Sequence, residues 1–178
     1  MTNEEIKLLE LLKINYEKMG SLYLTCKHTL VDTNSLYLLN EIISKRVLKE
    51  LEGQIPEIWS IDTIVGMMPD SCPIILPFVT LAKYRGWNLK PIFFEYSPEH
   101  GLSWNYGKIR QKDNVIILNT ILNGNLNVKC IEKLWKYKTY IVKIISLIDP
   151  LDGSREKILH MGFQPKCIYT IKDFEGDK

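Results

Sequence analysis

From Ile61 onward the sequence alternates short apolar runs with helical stretches, and this alternation limits its possible folds more tightly than any other feature. The runs are IDTIVGMM (61–68), LKPIFFEY (89–96), NVIILNT (114–120), TYIVKIISLI (139–148) and CIYTI (167–171). Their hydrophobic residues stand side by side instead of on every second position, which is the pattern of strands buried on both faces. Between them lie PIILPFVTLAKYRGW (73–87), LNVKCIEKLWKYK (126–138) and DGSREKILHMG (152–162), with the length and periodicity of helices. Pro73 suits a first helical turn, and Pro77 follows early enough to be tolerated. Such alternation builds an α/β fold with a mostly parallel central sheet covered by helices on both faces. The stretch SPEHGLSWNYGKIRQKD (97–113) fits neither pattern and reads as a long loop or a hairpin.

The first 55 residues read differently. Thr2 and Glu5 have the spacing of a capping box, Leu9, Leu12, Tyr16 and Met19 follow at helical intervals, and Gly20 and Ser21 end that helix. LYLTCKHTLV (22–31) reads as strand or extended chain. Asp32 to Asn34 supply a cap for a second helix with Leu36, Leu39, Ile43 and Val47 on one face. GQIPEIWS (53–60) reads as a loop. The expectation is one domain over 1–178, a helical hood (1–55) on an α/β core (56–178), in line with 178 residues of even composition.

Composition narrows the function classes. With 46% hydrophobic and 25% charged residues and a net charge of +2, the chain is an ordinary globular one with no charge excess calling for nucleic acid or membrane. No apolar run approaches the ~20 residues of a membrane span. The N-terminus, acidic and then amphipathic, is unlike a secretory signal. Cys26, Cys72, Cys130 and Cys167 never form CxxC, so they read as reduced thiols of a cytoplasmic protein, and no metal site is expected.

In parallel sheets ligands sit beyond the C-terminal strand ends, so the loops 67–73, 96–107, 119–127 and 149–154 are the candidate site. Their residues, taken in order, resemble the type I phosphoribosyltransferases, and the orotate phosphoribosyltransferases most closely. YLTCKHTLVDTNSLYLLNEII (23–43) resembles that family's strand, hood segment and first helix, and IDTIVGMMPDSCP (61–73) its pyrophosphate loop. EHGLSWNYGKI (99–109) resembles its flexible loop, DNVIILNTILNGNLNV (113–128) its phosphoribosyl-diphosphate loop, and LIDPLDGSREKILHMGFQPKCIYTIKDF (147–174) its ending. The resemblance implies a Rossmann-like phosphoribosyltransferase fold and a homodimer. It also implies transfer of a phosphoribosyl group from phosphoribosyl diphosphate, with Mg²⁺, to orotate in pyrimidine biosynthesis.

The residues at the implied positions are wrong for that chemistry. Ribose hydroxyls and the oxocarbenium-like sugar ask for two carboxylates; the positions hold Asn119 and Thr120. The 5′-phosphate asks for small hydroxyl residues and a glycine at a helix N-terminus; the chain offers Asn123, Gly124, Asn125, Leu126 and Asn127. Gly124 and Asn125 are both compatible with the positive φ of a phosphate nest, and the alternative is an asparagine-rich helix cap. Pyrophosphate asks for inward amides and cations; Met67, Met68, Pro69, Asp70 and Ser71 supply an acid and a residue without N–H. The flexible loop keeps His100 but carries Glu95 and Glu99 where cations belong, with Lys108 and Arg110 only later. The arginine that meets the orotate carboxylate is replaced by Pro150, and Arg155 lies one helical turn on.

The expected function is thus a non-catalytic relative that binds a nucleotide or phosphate, or pairs with an active relative; the alternative is an active orotate phosphoribosyltransferase. His28, His100 and His160 form no constellation. Trp104 and Tyr106 read as contact residues of a loop. KLWKYKTY (133–140) interleaves cations with aromatics, but reads as a helix end with Trp135 in the core and solvated lysines. Nucleic acid is therefore not an expected partner. Asp152 reads as the N-cap of the last long helix.

Overall fold

The computed structural model describes residues 1–30, 32–52 and 61–175, with no side-chain description for 47–52, 104, 105 and 175. The 53–60 loop and Val31 lie outside the described residues.

Three helices come first: α1 (Asn3–Met19), α2 (Leu22–Thr29) and α3 (Thr33–Glu52). The Thr2–Glu5 capping box closes α1, with Thr2 N donating to Glu5 Oε2 at 2.8 Å and Glu5 N to Thr2 Oγ1 at 3.2 Å. Gly20 ends it at φ 62°, where a side chain would be strained. Residues 22–29 correct the sequence reading, because they form helix α2 and not a strand. Ser21 caps it, and Thr25, Cys26, Thr29 and Leu30 form a buried stripe at helical spacing. Asn15 Nδ2 ties it to α1 through Thr29 Oγ1 at 2.9 Å. Asp32 caps α3 by accepting from the Ser35 amide at 3.0 Å.

The core consists of β1 (Thr63–Met67), α4 (Cys72–Tyr84), β2 (Lys90–Ser97), β3 (Gly101–Tyr106), β4 (Asn114–Ile121), α5 (Gly124–Lys136), β5 (Tyr140–Asp149), α6 (Ser154–His160), β6 (Lys166–Thr170) and α7 (Lys172–Glu175). The sheet order is β3-β2-β1-β4-β5-β6. All pairs are parallel except β2–β3, a hairpin that settles the 97–113 stretch. Side chains alternate between two cores. Ile64, Ile116 and Leu118 point to the side of α1–α4, and Val65, Val115 and Ile117 to the side of α5 and α6. The hood is fastened to the last strand: Tyr169 donates its hydroxyl to Glu5 O at 2.7 Å, and buried Glu5 pairs with Arg46 at 2.7 Å. No helix among the described residues is long and apolar enough to cross a membrane.

Gly66 shows how closely α4 approaches β1. A Cβ there would lie 2.3 Å from Ile75 Cδ1, 2.5 Å from Ser71 Cβ and 2.9 Å from Leu118 O. The last of these is backbone of the neighbouring strand and has little room to shift. Gly66→Ala is expected to lower stability by roughly 3 kcal/mol, the upper end for overpacking. In a thermal melt that is a fall of about 6–12 °C.

Candidate functional site

The loops at the C-terminal strand ends and helix α2 enclose a cleft of about 530 Å³. Its floor is Asn119 to Asn123 with Leu126 and Asn127, one wall is Met67, Pro69, Asp70, Ser71 and Pro73, and another is Pro150 and Asp152. Helix α2 roofs it with Leu22, Tyr23, Cys26, Lys27 and Leu30. Three of the four loops chosen from sequence meet here. The fourth, the β2–β3 hairpin, does not line the cleft. His100 sits at its turn with an exposed side chain, 3.8 Å from Glu99. Because β3 runs antiparallel to β2, the chain after Tyr106 returns to the strand-start end. Arg110 N there donates to Asp113 Oδ2 at 3.0 Å, so Lys108 and Arg110 lie away from the cleft of their own chain.

The two positions that the resemblance assigns to ribose contact are tied into the protein. Thr120 donates its hydroxyl to Asp70 O at 2.6 Å, joining the floor to the wall. Asn119 Nδ2 donates to Asn127 Oδ1 at 2.9 Å, and Asn127 Nδ2 to Asn123 O at 2.8 Å. This relay fixes how both amides are turned. It leaves Asn119 Oδ1 buried without a hydrogen-bond donor, an uncommon state for a buried acceptor.

The asparagine loop serves as a helix cap. Asn123 is the N-cap of α5, its side chain accepting from the Leu126 amide at 3.0 Å. Neither Gly124 nor Asn125 has positive φ, which corrects the nest expectation, since both already lie in the helix. Gly124 is needed for closeness instead: its amide donates to Ser154 Oγ at 2.8 Å, and a Cβ would lie 2.8 Å from Ser154 Cα. The Asn127 amide bonds Asn123 O. The Asn125 amide makes none of these bonds, and Lys157 Nζ donates to Asn125 Oδ1 at 2.9 Å beside it.

The 67–72 stretch is likewise closed on itself. The Met67 amide donates to Ser71 Oγ at 3.2 Å, the Met68 amide to Phe94 O at 2.7 Å and the Ser71 amide to Met67 O at 2.9 Å. Pro69 follows a cis peptide and has no N–H to give. Burial raises the Asp70 carboxyl above its ordinary value, against the Tyr23 hydroxyl bond and the Lys27 charge that lower it. In return the Asp70 charge, followed by burial, raises Tyr23. Burial, with Asp70 beside it, pushes the Cys26 thiol up to about 12, so this cleft cysteine is a thiol and no nucleophile at neutral pH. Tyr23, Cys26 and Lys27 were hidden by the strand reading of 22–31; the Ser21 cap and the 25/26/29/30 stripe are the sequence features that mark the helix.

Arg155 is also engaged. Its Nε and Nη2 each lie 2.7 Å from Asp149 Oδ2, and Nη1 donates to Pro165 O at 2.9 Å. Asp152 accepts from the Ser154 amide at 3.0 Å, although the N-cap of α6 is Gly153. Trp135 corrects a further expectation. At 47% exposure it is not in the core, which Cys130, Ile131 and Leu134 fill from the same helix. Trp135 instead packs tilted on Phe163, centroids 6.2 Å apart.

The charged residues lining the cleft are one cation, Lys27, and two acids, Asp70 and Asp152. A Mg²⁺–phosphoribosyl diphosphate complex does not fit this donor set: the positions that the resemblance assigns to the sugar are neutral, the Met67, Met68, Ser71 and Cys72 amides are engaged, and Asp70 lies in the stretch that it assigns to the pyrophosphate. No group of three metal-ligating side chains occurs among the described residues.

No protein-family model matches the chain. The orotate phosphoribosyltransferase of Rhodopirellula baltica is 24% identical over 162 residues, covering 88% of this chain and 81% of that protein. That of Sorangium cellulosum is 22% identical over 160 residues, covering 87% and 79%. Among solved structures, Mycobacterium tuberculosis orotate phosphoribosyltransferase in complex with phosphoribosyl diphosphate superposes with a TM-score of 0.70 at 14% identity, covering 98% of this chain and 93% of that one. A phosphoribosyltransferase from Corynebacterium diphtheriae gives 0.71 at 15%, covering 98% and 99%. The fold is that of the type I phosphoribosyltransferases, and the sequence is similar to orotate phosphoribosyltransferases along nearly its whole length.

Proposed function

We propose that this chain is a non-catalytic binding protein on the phosphoribosyltransferase fold, whose cleft holds a nucleotide by its base and sugar and performs no transfer. One observation carries the reading: Asn119 and Thr120, at the ribose positions of the resembling family, are neutral and already hydrogen-bonded within the protein. Neither brings negative charge to a developing sugar cation, where preorganised electrostatics are usually the largest catalytic contribution. The cleft suits binding nonetheless. Its volume of about 530 Å³ falls within the usual range for small-molecule sites, roughly 300–1,000 Å³. Asn119 and Thr120 line its floor, where a bound sugar would meet them. The Asn125 amide at the start of α5, with Lys157 beside it, suits a single phosphate better than a diphosphate.

Purified protein mixed with orotate, phosphoribosyl diphosphate and Mg²⁺ should leave orotate absorbance unchanged against a protein-free control. Uridine 5′-monophosphate should raise the melting temperature more than phosphoribosyl diphosphate does, and Asn119→Ala should abolish that rise. The overall similarity to orotate phosphoribosyltransferases favours the second reading, an active enzyme. Turnover at an ordinary rate of about 1 s⁻¹ or more would establish it and end the first.

A further inference from the structure

Among the described residues, the end of the sheet opposite the cleft is rich in cations, with Asp62 and Asp113 as acids at the starts of β1 and β4. Three segments bring the chain into strands there: 83–90 into β2, 107–114 into β4 and 136–140 into β5. Together they hold eight lysines and arginines and a single acid, Asp113, in a chain of net charge +2. Hydrogen bonds hold the segments side by side. Asp113 Oδ2 accepts from Lys90 Nζ at 2.7 Å, from Thr63 Oγ1 at 3.0 Å and from the Arg110 amide at 3.0 Å. The Lys112 amide donates to Lys138 O, and the Tyr140 amide to Asp113 O, both at 3.0 Å. Asp113 is buried and Lys90 is its partner. Lys83 and Arg85 at the end of α4, Arg110 and Lys112 before β4, and Lys136 and Lys138 at the end of α5 are exposed. Nearby Asp62 accepts from the Asn114 amide at 2.9 Å.

Aromatic side chains are exposed in or next to these segments, the Trp135 ring with Phe163 beside it. Tyr84 is 86% exposed, Tyr140 60% and Trp135 47%. KLWKYKTY is a helix end with exposed Lys136 and Lys138, as its sequence reads, but Trp135 lies outside the core. Helices α4 and α5 cover opposite faces of the sheet, so the basic strip runs across the sheet end from one face to the other. A row of cations suits phosphates, and interleaved exposed rings suit unstacked bases. A duplex or an acidic protein would engage the cations and leave the rings unused. We propose that this end of the protein binds single-stranded nucleic acid, its cations along the backbone and its rings against bases. This inference does not rest on the reading of the cleft.

The test is fluorescence anisotropy of the full chain with labelled oligo-uridine and oligo-thymidine over a salt series. Lys112 and Lys138 have φ of 65° and 55°, a conformation asparagine tolerates, so K112N/K138N keeps the fold while removing two charges. The double variant should bind at least ten-fold more weakly, with a log–log salt slope shallower by about 1.4. Tyr140→Ser should weaken single-strand binding about five-fold or more and duplex binding less. Lys18→Gln, on α1, should change neither. The two oligonucleotides tell RNA preference from general single-strand binding; either supports the proposal. It is overturned by no binding at moderate salt, by unchanged affinity in a folded K112N/K138N, by equal competition from polyglutamate, or by capture on phosphatidylserine vesicles without oligonucleotide binding.

Discussion

Arg155→Ala should lower stability by about 3–5 kcal/mol, the cost of leaving a buried charge without its partner. That corresponds to a fall of roughly 6–20 °C in melting temperature. Asp149 is fully buried at the C-terminal end of β5, and its Oδ1 accepts from the Leu151 amide at 3.0 Å. Its other oxygen is met twice by the Arg155 guanidinium at 2.7 Å. Alanine leaves that carboxylate facing protein, and it also leaves Pro165 O without the Nη1 donor. Arg155→Lys should recover only part of the loss, because an ammonium cannot reproduce the planar fork. Asp149→Asn in the Arg155→Ala background should be less unstable than Arg155→Ala alone, since the uncompensated charge is gone; urea titration of wild type, Arg155→Ala, Asp149→Asn and the double variant closes the cycle. A fall below about 1 kcal/mol for Arg155→Ala, the level of an exposed ion pair, would refute the argument. The pair also bears on function, because an arginine held this way is withdrawn from any carboxylate ligand in the cleft.

The sheet is legible in the sequence because its central strands β1, β4 and β5 are buried on both faces, and burial of that kind writes unbroken apolar runs such as VIIL (115–118). The same logic explains the misreading of 22–31. Thr25 and Thr29 favour extended chain by local propensity, but tertiary packing against α1 decides, and it uses the helical stripe they share with Cys26 and Leu30. Trp135 lies outside the core because of its place on the helix. The stripe Asn127, Cys130, Ile131 and Leu134 faces the sheet, and a residue one step past Leu134 is turned about 100° away. Within the site, the loops were legible from topology alone, whereas the bonds that close them were not. Thr120 reaches Asp70 across fifty positions and Gly124 reaches Ser154 across thirty, and no local pattern announces either contact. Asn119 and Thr120 show in the sequence that charge is missing; only the geometry shows that both are also hydrogen-bonded within the protein.

Asp113→Ala should cost roughly 2–3 kcal/mol, less than a fully buried pair because Lys90 is about one-third exposed. The carboxylate gathers β1, β2 and β4 at their starts, and its loss strands the buried Thr63 hydroxyl, the Arg110 amide and a lysine among other cations. The cost should depend on pH. Burial pushes the Asp113 carboxyl up, but the Lys90 bond, the Arg110 amide and the Thr63 hydroxyl together hold it below its ordinary 3.8. In the hood, Glu5 is likewise pushed up by burial and held below its ordinary 4.5 by Arg46 and the Thr2 amide. A carboxyl lowered on folding adds stability that is complete above its ordinary value and lost as pH falls through its folded value. Acid unfolding should therefore set in below about pH 4.5. The gap between wild type and Asp113→Ala, full at neutral pH, should narrow as pH drops below about 3.8. Asp113→Asn keeps the shape without the charge. If its unfolding free energy tracks wild type at pH 7, shape and not charge holds the strand starts together, and the electrostatic account of Asp113 fails.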